Sequence, residues 1–182
     1  MTQFDALYCV GAYEGRLREL IHLFKYESME RLGKPLGAFL RSGLPHEAVF
    51  DVITPMPIHP RRRRERGFNQ AEVLAREVAK VSLLPIQELV KRQRNTAKQA
   101  GLSGKQRRIN VSKAFVVIDP ELIRGKRILL VDDVLTTGAS ANACALTLKR
   151  AGASYVAILA LARADRRIGG GPETAIALSP FV

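Results

Sequence analysis

Residues 128–140 constrain the fold of this chain more than any other part of its sequence. They read Ile-Leu-Leu-Val-Asp-Asp-Val-Leu-Thr-Thr-Gly-Ala-Ser. The first four are aliphatic, which predicts a strand buried on both faces, and a helical pattern begins near Ser140. Ligands of open α/β sheets bind at the carboxyl ends of strands, and helix N-termini attract anions. The segment therefore predicts a sugar-phosphate site at the edge of a parallel sheet.

Two sets of polar groups follow the aliphatic run, and each suits one part of a sugar phosphate. The carboxylates of Asp132 and Asp133 can accept hydrogen bonds from ribose hydroxyls or face a hydrated Mg²⁺. Both are expected to lie past the end of the strand, where the chain turns and both reach one ligand. Backbone N–H groups of the next turn can hold the phosphate. That turn consists of Thr136, Thr137, Gly138, Ala139 and Ser140.

Within this turn, Gly138 permits a close backbone approach and Ser140 is predicted to cap the helix. The alternative is an ordinary surface turn between a strand and a helix, with an Asx-type cap. That alternative leaves the paired acids beside the Thr-Thr-Gly turn unexplained.

Strands alternate with helices along most of the chain, which predicts a parallel sheet covered on both faces. Helices are predicted over 13–26, 31–42, 69–81 and 140–150. Strands are predicted over 49–54, within 83–90, and over 115–118, 127–131 and 155–162. We therefore expect an α/β fold: a Rossmann-like, mostly parallel sheet flanked by helices, with a small N-terminal helical cap. The expected divisions are a cap over 1–45, an α/β core over 46–165, and a loose C-terminal tail or edge element over 166–182.

The chain is strongly basic, with 29 Lys and Arg against 17 Asp and Glu and a formal net charge of +12. Such a surplus favours anionic partners, namely nucleotides, diphosphates, nucleic acid or an anionic membrane face. Five arginines lie in residues 61–66, just after Thr54-Pro55-Met56-Pro57 at the end of a predicted strand. Arginine forks match phosphate oxygens, but a solvated charge run or a nucleic-acid patch remains open for this segment.

A second basic segment spans residues 91–113, with eight Lys and Arg and no acid. Its weak periodicity predicts a long mobile loop, and long loops in compact domains are usually functional or disordered. It is predicted either to cover the phosphate site as a lid or to be a disordered or nucleic-acid-binding loop.

Cysteine and hydropathy patterns bear on zinc binding, membrane insertion and cellular location. Cys9 and Cys144 are far apart and form no Cys-x-x-Cys pair, so no zinc site is expected. No apolar run is long enough to span a membrane, and no signal peptide is visible. A reducing cytoplasm is the expected location.

Residues 128–140 resemble the phosphoribosyl-diphosphate (PRPP) motif of type I phosphoribosyltransferases. That motif has four hydrophobic residues, two acids and a Thr-Thr-Gly loop. More of the chain resembles the ComF family. The matching residues are Tyr13-Glu14-Gly15, Arg18, Ile21, Phe24-Lys25-Tyr26, Pro55-Met56-Pro57, Arg-Gly-Phe-Asn-Gln-Ala at 66–71, Leu74-Ala75, Arg94, Thr96, Gln99, Leu102, Arg107 or Arg108, Asn110, Phe115 and Ala162-Arg163. Many ComF-like proteins begin with a four-cysteine zinc module, and this chain is expected to be a member without it.

The resemblance implies a role for each matching segment. Residues 136–140 would bind the 5′-phosphate, and Asp132 and Asp133 would bind ribose hydroxyls directly or through Mg²⁺, as the catalytic residues. The residues expected to bind diphosphate are Pro55, Met56, Pro57, Arg61 and Arg66. The residues expected in the flexible lid are Arg94, Thr96, Gln99, Arg107, Arg108 and Asn110.

Two functions follow from the resemblance. The first is transfer of a phosphoribosyl group from PRPP–Mg²⁺ to an acceptor, with release of diphosphate. The second is a non-catalytic protein of natural transformation that senses PRPP or a nucleotide and binds single-stranded DNA or the DNA-uptake machinery. The acid pair favours retained sugar-phosphate recognition, because nucleic-acid binding gains nothing from two carboxylates facing phosphate. A homodimer is expected from symmetry base rates alone.

Overall fold

The computed structural model describes residues 2–26, 29–93 and 114–164. Within these ranges lie six strands, five α-helices and two short 3₁₀ turns. The strands are β1 (Ala6–Ala12), β2 (Val52–Pro55), β3 (Val90–Arg92), β4 (Phe115–Val117), β5 (Arg127–Leu135) and β6 (Tyr155–Arg163). The helices are α1 (Gly15–Tyr26), α2 (Gly33–Arg41), α3 (Pro60–Arg66), α4 (Gln70–Ser82) and α5 (Ala139–Arg150). The 3₁₀ turns are Glu30–Leu32 and Pro120–Leu122.

Four strands form a parallel sheet in the order β1-β6-β5-β2. Strands β3 and β4 form a separate antiparallel pair. The expected Rossmann-like, mostly parallel sheet with flanking helices is therefore confirmed. The proposed boundaries at 45 and 165 stay a prediction.

Side-chain alternation along β5 divides the core into two layers. Ile128 and Leu130 belong to one buried cluster, which includes apolar residues of α5. Leu129 and Val131 belong to the other, which includes apolar residues of α1, α2 and α4. A strand covered on both faces must be apolar at every position, and this explains the continuous aliphatic run.

Two predictions about individual elements were wrong or incomplete. Strand β1 was not predicted. It pairs in parallel with β6, so the N-terminal segment is part of the main sheet. The strand expected within 83–90 is reduced to one parallel bridge between Ile86 and Ile53, followed by the start of β3 at Val90. Pro85 has no N–H to donate to a ladder, and Leu83 adopts a left-handed conformation with φ of 56° that ends α4.

The two basic segments also differ from their predictions. The arginine run forms helix α3, although no helix was predicted there. The His59 side chain caps the helix by accepting a hydrogen bond from the N–H of Arg61. Pro60 is the first helical residue. A side-chain cap followed by proline is a common start of a helix. The predicted loop over 91–113 begins as strand β3. Its remaining residues, 94–113, lie outside the described part of the chain, as do residues 165–182.

No helix in the described ranges has both the length and the hydropathy needed to cross a membrane. Cys9 and Cys144 are buried and form no disulfide.

Candidate functional site

The connections of the sheet place a crevice between β2 and β5. From β2 the chain passes through α4 and returns at Ile86, on the far side of β2 from β5. From β5 it passes through α5 and returns as β6, on the other side. In open α/β sheets, ligands bind at the carboxyl ends of the strands where the direction of winding reverses in this way.

A cavity of about 220 Å³ opens at this point. It is lined by Lys25, residues 56–58, Arg62, Arg66, residues 69–71, Arg92 and residues 132–141. Both predicted acids and the whole predicted phosphate turn therefore lie around one space.

Asp132 and Asp133 lie inside β5, not past its end as predicted. The strand continues to Leu135 because Val134 and Leu135 keep the parallel pairing with β6. Consecutive residues of a strand project to opposite faces. Asp133 accordingly faces α1, where its Oδ1 lies 2.8 Å from Nζ of Lys25. Both acids nevertheless line the same cavity, because the cavity is bordered by the last four residues of β5.

The electrostatic environment of Asp132 differs from that of an ordinary aspartate. Burial, and secondly the like charge of Asp133, raise the pKa of Asp132 to about 7. The charges of Lys25 and Arg92 and a hydrogen bond from the Asp133 N–H, 2.9 Å from Oδ1 of Asp132, act in the opposite direction. A carboxyl group with such a raised pKa is well placed for a ligand that stabilises its ionised form.

The Thr-Thr-Gly turn joins β5 to the N-terminus of α5. Gly138 has φ of 67°, a left-handed conformation, and it precedes the first helical residue. The predicted cap at Ser140 was wrong, because Ser140 lies inside α5 and Gly138 occupies the cap position. A cap without a side chain does not itself accept from the first N–H groups of the helix, and this favours an anion at that end. The hydroxyl of Thr137 accepts a long hydrogen bond, 3.4 Å, from the N–H of Ala139.

Helical periodicity sorts the arginines of α3 into two groups. Arg62 and Arg66 are four residues apart, so they share one face of the helix, and both line the cavity. Arg61 instead pairs with Glu65 at 2.8 Å. Arg63 pairs with Glu72 at 3.1 Å. The structure thus brings Arg66 to the cavity as expected, adds Arg62, and leaves Arg61 outside the lining.

The Arg-Gly-Phe-Asn-Gln motif connects three parts of the site. The Asn69 side chain caps α4 by accepting from the N–H of Ala71 and donates from Nδ2 to the carbonyl of Met56 at 3.1 Å. Gln70 donates from Nε2 to the carbonyl of Phe24 at 3.3 Å. Arg66 donates to the Gln70 side chain at 3.0 Å. The motif therefore fixes the turn after β2 and the end of α1 against α4.

Pro55 does not line the main cavity. Met56 and Pro57 line the cavity, whereas Pro55 lines a neighbouring groove between the turn and β3. Pro57 and Arg92 border both spaces.

Besides Arg62, two further charged cavity residues, Arg92 and Lys25, were missed as site residues in the sequence. Arg92, at the end of β3, had been counted only among the basic residues of the predicted loop. Burial, and secondly the positive charge of Arg62, lower its pKa, while Asp132 acts in the opposite direction. Lys25 stood only in the family pattern, and its place beside Asp133 depends on how α1 packs. The predicted lid residues 94, 96, 99, 107, 108 and 110 lie outside the described part of the chain.

Comparison with known proteins agrees with this geometry. The family model for the phosphoribosyl transferase domain matches residues 65–179. The chain is 31% identical over 169 residues to Competence protein F of Haemophilus influenzae, covering 88% of this chain and 74% of that protein. The chain belongs to the ComF family of phosphoribosyltransferase-like proteins.

A second relative has a different name. The DNA utilization protein YhgH of Escherichia coli is 32% identical over 167 residues, covering 88% of this chain and 73% of that protein. Among solved structures, an allosteric regulatory enzyme of purine biosynthesis has a TM-score of 0.49 and 20% identity, over 70% of this chain and 25% of that one. Nothing about function follows from so distant a structural likeness.

Proposed function

We propose that this protein binds PRPP with Mg²⁺ in the cavity between β2 and β5 and transfers its phosphoribosyl group to an acceptor, releasing diphosphate. The observation that carries the proposal is the convergence of three groups on one cavity: the acid pair, residues 136–140, and three arginines. Each group suits one part of PRPP, namely the ribose hydroxyls, the 5′-phosphate and the diphosphate. Membership of the phosphoribosyltransferase family supports the proposal independently.

The arginines that line the cavity suit the diphosphate. Arg62, Arg66 and Arg92 come from two elements and border the same space as Met56 and Pro57. Guanidinium groups bind phosphate oxygens bidentately and stabilise charge that develops on a leaving group. We therefore retain Met56, Pro57 and Arg66 from the predicted set and assign Arg62 and Arg92 in place of Arg61 and Pro55.

In the reaction, the bond from ribose C1 to the diphosphate oxygen breaks and its electron pair leaves with diphosphate. A lone pair of the acceptor forms the new bond to C1, and the proton displaced from the acceptor passes to solvent. Such a step needs little help from a protein nucleophile, so positioning and electrostatics supply most of the catalysis. Asp132 and Asp133 would hold the ribose hydroxyls, while α5 and the turn before it would hold the 5′-phosphate.

The residues around the cavity fit Mg²⁺ that arrives with its substrate. Within the described ranges, no group of three or more His, Cys, Asp and Glu residues forms a metal site. Mg²⁺ commonly binds through one or two carboxylates together with substrate phosphates and waters, so Asp132 and Asp133 are a sufficient protein contribution. When bound, Mg²⁺ supplies charge neutralisation for the diphosphate.

Fragments of PRPP test the assignment of subsites. Ribose 5-phosphate and diphosphate should each bind the protein in calorimetric titrations with Mg²⁺. Replacing Thr137 with Ala should weaken ribose 5-phosphate more than diphosphate, and Arg62→Met should do the reverse. Equal effects of both replacements on both fragments would contradict the assignment.

A second candidate function is a sensor of PRPP or nucleotide that binds single-stranded DNA during transformation. The net charge of +12 and the names Competence protein F and DNA utilization protein favour it. Against it, Arg61 and Arg63 of α3 already pair with acids of this chain, so α3 is a weaker polyanion surface than its sequence suggests.

Diphosphate release separates the two candidates. Transferase activity requires release from Mg²⁺–PRPP in the presence of at least one nucleobase or amine acceptor, and the Asp132→Asn/Asp133→Asn variant should abolish it. Binding of PRPP without release by any acceptor, together with strongly salt-dependent DNA binding, would favour the sensor. A cytoplasmic location and a homodimer stay predictions.

A further inference from the structure

Lys25 places a positive charge against the acid pair from helix α1. It lies in the last turn of α1, and its Nζ is 2.8 Å from Oδ1 of Asp133. The two side chains are only 15% and 10% exposed, and both residues line the cavity. The contact is therefore a largely desolvated ion pair inside the candidate site, unlike the exposed pairs on the helices.

The backbone around Lys25 is held firmly. The neighbouring Phe24 is fully buried, its carbonyl accepts a hydrogen bond from Gln70, and its ring lies 5.4 Å from that of Phe68. Gln70 begins α4, so the end of α1 is fixed to the same helix that positions the turn after β2. A lysine on so constrained a backbone cannot move far from Asp133 except by rotating its own side chain.

We propose that the ammonium group of Lys25 stays paired with Asp133 until substrate binds. This ion pair would exclude free divalent cations from Asp132 and Asp133. A bare cation would have to displace the ammonium group and would meet its charge at short range. The magnesium complex of PRPP has a net negative charge, so the same ammonium group attracts it. This inference rests on the proposed function, and it makes Lys25 a positioning residue that selects the order in which metal and substrate enter.

Binding of Mn²⁺ alone, followed by electron paramagnetic resonance, tests this role without any turnover. Lys25→Met should bind Mn²⁺ about tenfold more tightly than the wild type, the lower end of the coupling measured between close charge pairs. Lys25→Arg keeps the charge and should bind as weakly as the wild type. Lys80→Met is the matched control, because Lys80 is also a helical lysine in an ion pair, with Glu77, but lies outside the cavity.

A double substitution tests whether Lys25 changes Mn²⁺ affinity through its contact with Asp133. In Asp133→Asn, the further replacement of Lys25 by Met should change Mn²⁺ affinity little. If Lys25→Met does not fold, Lys25→Gln carries the same prediction. Unchanged or weaker Mn²⁺ binding by a folded variant without the charge would overturn the proposal. Failure of the wild type to bind Mg²⁺–PRPP would instead count against the proposed function, so the two failures are distinguishable.

Discussion

Asp132 and Asp133 are adjacent in the chain, yet they face opposite sides of β5. Asp133 pairs with Lys25 of α1 at 2.8 Å, whereas the charge of Asp132 acts on the buried Cys144 of α5 and on Arg92. One acid is therefore paired with a lysine, and the other has its pKa raised to about 7 by desolvation and by the charge of its neighbour. The two positions should respond differently to the same substitution.

Asp132→Asn should stabilise the free protein. The unfolded chain ionises this group near the ordinary pKa of aspartate, whereas the folded protein holds its proton up to about pH 7. Between these pH values the folded state binds one more proton than the unfolded state, so the free energy of unfolding falls as the pH rises. The amide removes that cost, on the order of 4 kcal/mol at pH 8 and 1 to 2 kcal/mol at pH 5. Urea unfolding at both pH values measures the difference, and a gain that does not grow with pH would show that the pKa of Asp132 is not raised.

Asp133→Asn should destabilise the protein, because it leaves the ammonium group of Lys25 largely buried without its counter-charge. The expected loss is about 2 kcal/mol in the free energy of unfolding. Glu65→Gln is the matched control, since it breaks the exposed pair with Arg61 and should cost less than about 0.5 kcal/mol. Equal losses in the two variants would mean that the Lys25–Asp133 pair is no more desolvated than a surface pair.

The site illustrates which features a sequence can reveal. The acid pair and residues 136–140 form one local pattern, so they could be predicted from the sequence together. Arg62 could have been distinguished from Arg61 only by recognising α3, for which His59 and Pro60 were the available signals. Lys25 had no such signal, because its contact with Asp133 spans more than one hundred residues and depends on how α1 packs against the sheet.

Asn69→Ala should weaken both folding and ligand binding. The substitution removes the cap of α4 and leaves the buried carbonyl of Met56 without its donor. These losses together should lower the free energy of unfolding by about 2 kcal/mol. Because the turn containing Met56 lines the cavity, PRPP affinity should fall as well. Asn142→Ala on α5 serves as a control, as its side chain accepts only an exposed hydrogen bond from the N–H of Gln3. A normal PRPP affinity in a folded Asn69→Ala protein would show that the turn is held by other contacts.

Gly37→Ala should separate α2 from α4. A Cβ built at Gly37 would lie 2.3 Å from Cβ of Glu77, which no helix pair can tolerate without moving apart. The expected loss is about 2 to 3 kcal/mol in the free energy of unfolding. Gly15→Ala provides a comparison, because a Cβ there would meet nothing within 4 Å and only the φ of 50° is strained, at about 1 kcal/mol. Thermal unfolding of both variants ranks the two effects, and a smaller loss at Gly37 would contradict the close packing.

Most of the sheet could be predicted because its inner strands are aliphatic throughout. Strand β1 could not, because its partner β6 lies about 150 residues away and no local turn marks the pairing. The length of β5 was underestimated because a charged pair normally ends a buried strand. Here parallel pairing with β6 continues through Val134 and Leu135, which places the acids within the sheet.

The most direct measurement is a calorimetric titration of Mg²⁺–PRPP into the wild type and the Asp132→Asn/Asp133→Asn variant. The proposed site predicts one molecule bound per wild-type chain, with binding lost in the double variant while its unfolding transition remains cooperative. The same affinity in both proteins, or no binding by the wild type, would contradict a PRPP site between β2 and β5.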